Sequence, residues 1–155
     1  MSEPKLITVT LQQNRDYQFR VSFAPAPPVE LVTDEAPPLG GNAGPNPAQL
    51  LTAAVANCLA ASLQFSLRKF HNNPEPITAS AVAHIARNAQ NRLRVARMDV
   101  EIRLGKPVAD LRNSERAVAQ FEDFCVVTQS VREGFEVGVT VLDSDGTALM
   151  TDVAD

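Results

Sequence analysis

The chain has 155 residues, 45% of them apolar and 21% charged, which fits one soluble globular domain spanning 1–155. A net charge of −4 and a pI near 5.2 argue against nucleic acid as the main partner, because neutralising phosphates needs a basic surface. The start, Met1-Ser2-Glu3-Pro4-Lys5, lacks the basic and apolar regions of a secretory signal. The expected compartment is the reducing cytoplasm, where two cysteines are free thiols or a redox couple rather than a structural staple.

Alternation comes first along the chain. Ile7, Val9 and Leu11 share one parity, and Tyr17, Phe19, Val21 and Phe23 share the next, so the two runs predict a β-hairpin turning over Gln12–Asp16. A third short strand is expected at Val29–Thr33. The segment from Pro25 to Pro47 holds seven of the 11 prolines and three of the seven glycines, which excludes regular helix and a central strand. Its end, Gly40-Gly41-Asn42-Ala43-Gly44, matches neither phosphate-binding glycine pattern and predicts a close crossing of another backbone.

Asn46 then offers an N-cap and Pro47 a first helical residue. The run Ala48–Leu67 carries no charge over 20 residues, about the length of a bilayer span. Its scattered Gln, Asn, Ser and Thr and its many alanines instead predict a helix to about Phe70, apolar nearly all round and therefore enclosed in protein. Asn72-Asn73-Pro74 would end it. Strands are predicted at Ile77–Arg87 and Leu93–Leu104 about a turn at Asn88–Asn91. A helix capped by Ser114 is predicted over Glu115–Phe124, a short helix over Val126–Glu133 and a closing strand over Phe135–Val141. The tail is expected to be loop, with a short strand around Ala148–Met150. This order is α+β rather than a repeated βα unit.

The residues with chemistry are the two thiols. Cys58 sits mid-helix, beyond the reach of its own helix dipole, so a thiolate there needs a cation from elsewhere; the competing reading is a small buried hydrophobe. Cys125 either ends one helix or opens the next, where free amides would lower its pKa. Arg15, in the expected hairpin turn, and Arg20, on the polar face of the second strand, are candidate cations or solvated surface groups. Arg87, Arg92, Arg94, Arg97 and Arg103 read as a solvated basic face. His71 and His84 have no partner at metal-ligand spacing.

Three stretches together resemble the OsmC/Ohr family (osmotically inducible proteins and organic hydroperoxide resistance proteins). They are Gly40-Gly41 through Gly44-Pro45-Asn46-Pro47 into Gln49–Leu59, then Cys125–Arg132, then Phe135–Val141. The resemblance implies an OsmC-like fold: an N-terminal hairpin and small sheet, a long central helix carrying Cys58, a second sheet and a second helix, intertwined as a homodimer. It implies a thiol peroxidase for organic hydroperoxides, acting in oxidative-stress defence. Cys58 would attack the peroxide and become a sulfenic acid, Cys125 would resolve it as a disulfide, and Arg15 would hold the Cys58 thiolate. No bound cofactor, metal, membrane or nucleic acid is implied; the reductant would be an external dithiol, lipoyl-type in several members. The position that carries Glu in the family's peroxidases is Ala48 here, so Asp34 or Glu35 would have to stand in for it by a fold-back of the loop. The alternative is a non-catalytic dimer that binds a hydrophobic small molecule at its interface pocket.

Overall fold

Short-range alternation and turn chemistry account for the first sheet. The computed structural model describes residues 3–25, 29–134, 139–142 and 148–152. Strands β1 (Thr8–Arg15) and β2 (Gln18–Ala24) pair antiparallel, and β3 (Leu31–Thr33) joins β2 to give the order β1-β2-β3. The turn is tighter than the predicted Gln12–Asp16: β1 runs on through Arg15, and Asp16 makes the reversal with a φ of 45°. Aspartate tolerates that left-handed conformation, and the Gln13 side chain donates to the Asp16 carbonyl across the turn at 2.8 Å. The ladder shifts register between Gln13 and Arg15.

Helix α1 (Pro47–Lys69) begins with a reciprocal cap: Gln49 N–H donates to Asn46 Oδ1 and Asn46 N–H donates to Gln49 Oε1, each at 2.9 Å. It ends in a Schellman arrangement. His71 takes the left-handed position at φ 60°, Asn72 N–H reaches back to the Leu67 carbonyl at 3.2 Å, and His71 N–H reaches Arg68 at 2.9 Å. The helix therefore stops at Lys69, within a residue of the predicted end near Phe70.

The enclosure predicted for this helix is incomplete within the chain. Val55, Leu59, Leu63, Ser66 and Leu67 are buried as one stripe, while Leu51 is 38% and Phe65 57% exposed. By length and composition α1 is also apolar enough to cross a membrane, but its buried stripe packs within the chain as a core helix does.

Strands β4 (Thr78–Arg87) and β5 (Leu93–Arg103) form a two-stranded sheet. Asn88 Oδ1 accepts from the N–H groups of Gln90 and Arg92, and Asn91 turns with a φ of 60°. On this hairpin Arg87 donates to the Asn91 carbonyl, Arg97 pairs with Asp99 at 2.8 Å, and His84 Nε2 meets the same carboxylate at 2.8 Å.

Helix α2 (Ser114–Gln120) is shorter than predicted and starts one residue earlier. Ser114 is its first residue rather than its cap, preceded by Asn113 at φ 50°. Glu122–Phe124 tighten into a single 3-10 turn, and helix α3 (Val126–Glu133) follows. Strands β6 (Val139–Leu142) and β7 (Ala148–Asp152) pair antiparallel. Residues 135–138 of the predicted closing strand, and 143–147 and 153–155 of the tail, lie outside the described residues.

Two compact units are distinguished: Met1–Ala54 with Ser80–Glu101, and Val55–Ala79 with Ile102–Asp155. In the second, Leu63, Leu67 and Ala117 form the core, packed by Phe70, Ile102, Leu104, Leu111 and Phe121. Two polar contacts tie α1 to the chain around α2. Ser66 Oγ donates to the Ala117 carbonyl at 2.9 Å, and the buried Asn72 side chain both donates to the Arg112 carbonyl (2.9 Å) and accepts its N–H (2.8 Å).

Candidate functional site: a thiol pair at a helix start

Cys125 takes its position from the helix that follows it. It is the N-cap of α3, with extended backbone (φ −85°, ψ 91°), and its carbonyl accepts the Gln129 N–H at 3.0 Å. The preceding 3-10 turn delivers it there, through a 3.0 Å bond from Cys125 N–H to the Glu122 carbonyl. Its side chain is fully buried, and its Sγ lies 3.0 Å from the hydroxyl of Thr128, which is itself buried. The prediction left open whether Cys125 closes one helix or opens another; it opens α3.

Cys58 is half-buried on α1. Each thiol acts on the other's pKa, so the two lie close together. The main-chain N–H groups of Val127 and Thr128, in the first turn of α3, favour the Cys58 thiolate. Thr128 N–H and the Ser62 hydroxyl, one turn along α1 from Cys58, favour the Cys125 thiolate. The groups that favour the Cys58 thiolate therefore include amides at the start of a different helix.

The two thiols are pushed in opposite directions. Burial raises the Cys58 pKa, and the hydrogen bond with Cys125 raises it further; the Val127 and Thr128 N–H groups work against both. Burial is also the largest single influence on Cys125 and raises it. The hydrogen bonds from Cys58, from the Thr128 hydroxyl and N–H, and from Ser62 together outweigh it, so Cys125 lies below the ordinary thiol value.

Arg15 lies in the other unit, at the end of β1, where its positive charge acts on Asp34. Asp34 is 4% exposed and accepts the N–H groups of Glu35 (2.8 Å), Gly41 (3.0 Å) and Ala43 (3.0 Å). Its carboxyl is held below the usual range, first by the Ala43 N–H, against the opposing cost of burial, and further by Glu35, Gly41 and Arg15. The loop thus does fold back, which is the condition on which Asp34 could replace an acidic residue at Ala48. The close crossing is also present: a Cβ on Gly44 would sit 1.9 Å from the Val32 carbonyl oxygen, and one on Gly40 2.3 Å from Asp34 Oδ1. Arg20 faces Glu30 at 4.0 Å. Among the described residues no three His, Cys, Asp or Glu side chains cluster as a metal site.

Sequence reasoning missed Thr128 and Ser62. Ser62 was visible as the residue four after Cys58 on one helix face. Thr128 stands three residues after Cys125, the spacing at which a side chain meets an N-cap.

Comparison with known proteins places these features. No curated protein matches the sequence. The fold is similar to an OsmC-like protein of unknown function from Vibrio cholerae (TM-score 0.65, 16% identity, covering 84% of this chain and 94% of that one). It is also similar to an organic hydroperoxide resistance protein OsmC from Legionella pneumophila (0.64, 14%, 84% and 92%). A third likeness is to the organic hydroperoxide resistance protein OhrB of Bacillus subtilis (0.60, 14%, 83% and 91%). The family model for OsmC-like proteins matches residues 40–140, from the glycine loop through both cysteines, and the chain belongs to that family.

Proposed function

We propose that the protein is a thiol-dependent peroxidase that reduces organic hydroperoxides, with Cys58 as nucleophile and Cys125 as resolving thiol. The observation that carries this reading is the closeness of the two thiols at the start of α3, where each acts on the other and main-chain N–H groups favour both thiolates. In the attacking form the proton sits on Cys125, and Cys58, the less buried sulfur, is the anion.

The Cys58 thiolate attacks the terminal oxygen of the hydroperoxide. The O–O bond breaks, the alkoxide takes the Cys125 proton to leave as alcohol, and Cys58 becomes a sulfenic acid. The Cys125 thiolate left behind has Thr128 and Ser62 as donors. It attacks the Cys58 sulfur; an S–S bond forms, and the displaced hydroxide takes a proton from solvent to leave as water. An external dithiol then reduces the disulfide, in the cytoplasm, and no bound cofactor is required. Arg15 is the residue we assign to the Cys58 thiolate.

The exposed apolar positions of α1, Leu51 and Phe65, support a homodimer in which a second copy covers them. Phe65→Glu should then shift the protein from dimer to monomer by light scattering, and a wild-type monomer would end that part of the reading.

The activity is tested by cumene hydroperoxide consumption with a dithiol. The wild type should turn over, and Cys58→Ser should fall to the level of protein-free buffer; equal rates would refute a catalytic Cys58. One observation favours a second reading, a non-catalytic dimer holding a hydrophobic small molecule: burial raises the Cys58 pKa. On that reading Cys58 labels with iodoacetamide no faster at pH 6 than a free thiol, and peroxide gives no intramolecular disulfide.

A further inference from the structure

The two sulfurs of the pair are not equivalent to a reagent from solution. Cys125 is fully buried and Cys58 is half-buried. Thiol–disulfide exchange needs an attacking thiolate to reach one sulfur in line with the S–S bond while the other departs as a thiolate. Access therefore selects Cys58 as the sulfur attacked. The leaving sulfur must carry negative charge inside the protein, where an unpaired anion is costly. Cys125 is equipped for that: the Thr128 hydroxyl lies 3.0 Å from its sulfur, Thr128 N–H is the N3 amide of the helix that Cys125 caps, and Ser62 adds a further hydroxyl.

We infer that reduction of the Cys58–Cys125 disulfide has a fixed direction, the external dithiol joining Cys58 while Cys125 leaves as a thiolate held by the Thr128 hydroxyl. This rests on the pairing of the two thiols in the proposed function. In the first step one sulfur of the dithiol, as a thiolate, bonds to Cys58 Sγ and the Cys58–Cys125 bond breaks. In the second, the other thiol of the reductant gives its proton to Cys125 and attacks its own partner sulfur, so the mixed disulfide breaks and Cys58 is released as a thiolate. The dithiol ends as a cyclic disulfide and the protein as one thiol and one thiolate. The Thr128 hydroxyl thus acts at the step that opens the disulfide, by holding the departing Cys125 thiolate.

The test forms the disulfide with diamide, so it does not depend on peroxide activity. The oxidised protein is then treated with a monothiol, acid-quenched and mapped by mass spectrometry. The expected adduct is on Cys58 with Cys125 free; an adduct mainly on Cys125 would overturn the proposal, as would failure of diamide to remove two hydrogens from the monomer mass. Thr128→Val should slow reduction by a dithiol about tenfold, the worth of one charge-assisted hydrogen bond, and leave the monothiol adduct on Cys58. Thr128→Ser, which keeps the hydroxyl, should restore the reduction rate. No slowing of reduction in the valine variant, or no recovery in the serine variant, would refute the role given to Thr128. Loss of hydroperoxide oxidation in the wild type, with the diamide results intact, would count against the peroxidase reading alone.

Discussion

Leu67→Ala offers a quantitative check on the second unit, whose core positions the half of α1 that carries Cys58. Leu67 is fully buried, and its cluster draws on three parts of the chain: Leu63 and Phe70 in and just after α1, Ile102 and Leu104 at and just after the end of β5, and Ala117 and Phe121 in and after α2. Walls contributed by separate elements cannot all collapse into the space a missing isobutyl group leaves, so the cost should fall in the upper half of the usual Leu→Ala range, about 3–5 kcal/mol. That is a large part of a total stability of roughly 5–15 kcal/mol. At about 3 °C per kcal/mol for a chain of this length, the melting temperature should drop by about 9–15 °C. Urea unfolding followed by circular dichroism at one fixed protein concentration gives the number, with an unchanged m-value showing that the loss is in stability. Leu67→Met, which keeps the volume, should cost less than about 1.5 kcal/mol. Because Leu67 touches neither sulfur, diamide should still close the disulfide well below the melting point. A loss under about 1 kcal/mol for the alanine variant would mean that the cluster is not a close-packed core.

Three further outcomes follow from named contacts. Asn72→Ala removes the side chain that bridges the Leu67 carbonyl and both main-chain groups of Arg112, and should cost about 2 kcal/mol in urea unfolding, because buried partners are left unpaired. Asp34→Asn should weaken the Gly40–Gly44 loop, read as faster amide exchange at Gly41 and Ala43 in the variant than in the wild type. The sign with pH is fixed: a carboxyl whose folded pKa is depressed stabilises above the ordinary carboxylate value and loses that effect as pH falls through its folded value, so the two proteins should converge in acid. In Cys58→Ser, Cys125 loses the Cys58 thiol that helps hold its pKa down, and its titration by ultraviolet thiolate absorbance should keep its midpoint only if the serine hydroxyl fully replaces that donor. Cys58→Ala removes the donor outright, and its midpoint should move up; no movement would show that the sulfurs do not share a proton.

The parts of the fold carried by local rules were legible in the sequence. Asn46 and Pro47 start α1 because capping and a fixed proline φ are properties of adjacent residues, and Val126–Glu133 is a helix for similarly local reasons. The errors fall where geometry is set by a residue's tolerance for an unusual backbone rather than by its pattern. Asp16, His71 and Asn113 each take a positive φ, and each moves a boundary by a residue or more: the hairpin turn tightens, α1 stops early, and α2 begins at Ser114. The glycine loop was read correctly as a close crossing, since its composition admits little else. Asp34 was harder, because its importance comes from amides seven and nine residues away. The same holds for the cysteines: their chemistry was legible as residue types, but 67 positions separate them, and spacing alone could not bring the first turn of α3 to a sulfur in the middle of α1.

That crossing explains why a thiol can be activated in a place its own helix does not favour. The first N–H groups of any helix lack main-chain acceptors, so those at Val127 and Thr128 are free to face a sulfur without breaking a hydrogen bond. Neutral amides and hydroxyls do not commit the charge to one atom. Val127 and Thr128 face Cys58, while Thr128 and Ser62 face Cys125. A peroxidase cycle places the negative charge on Cys58 at the attack on peroxide and on Cys125 when the disulfide closes and again when it opens. Donors spread over both sulfurs serve each of those moments.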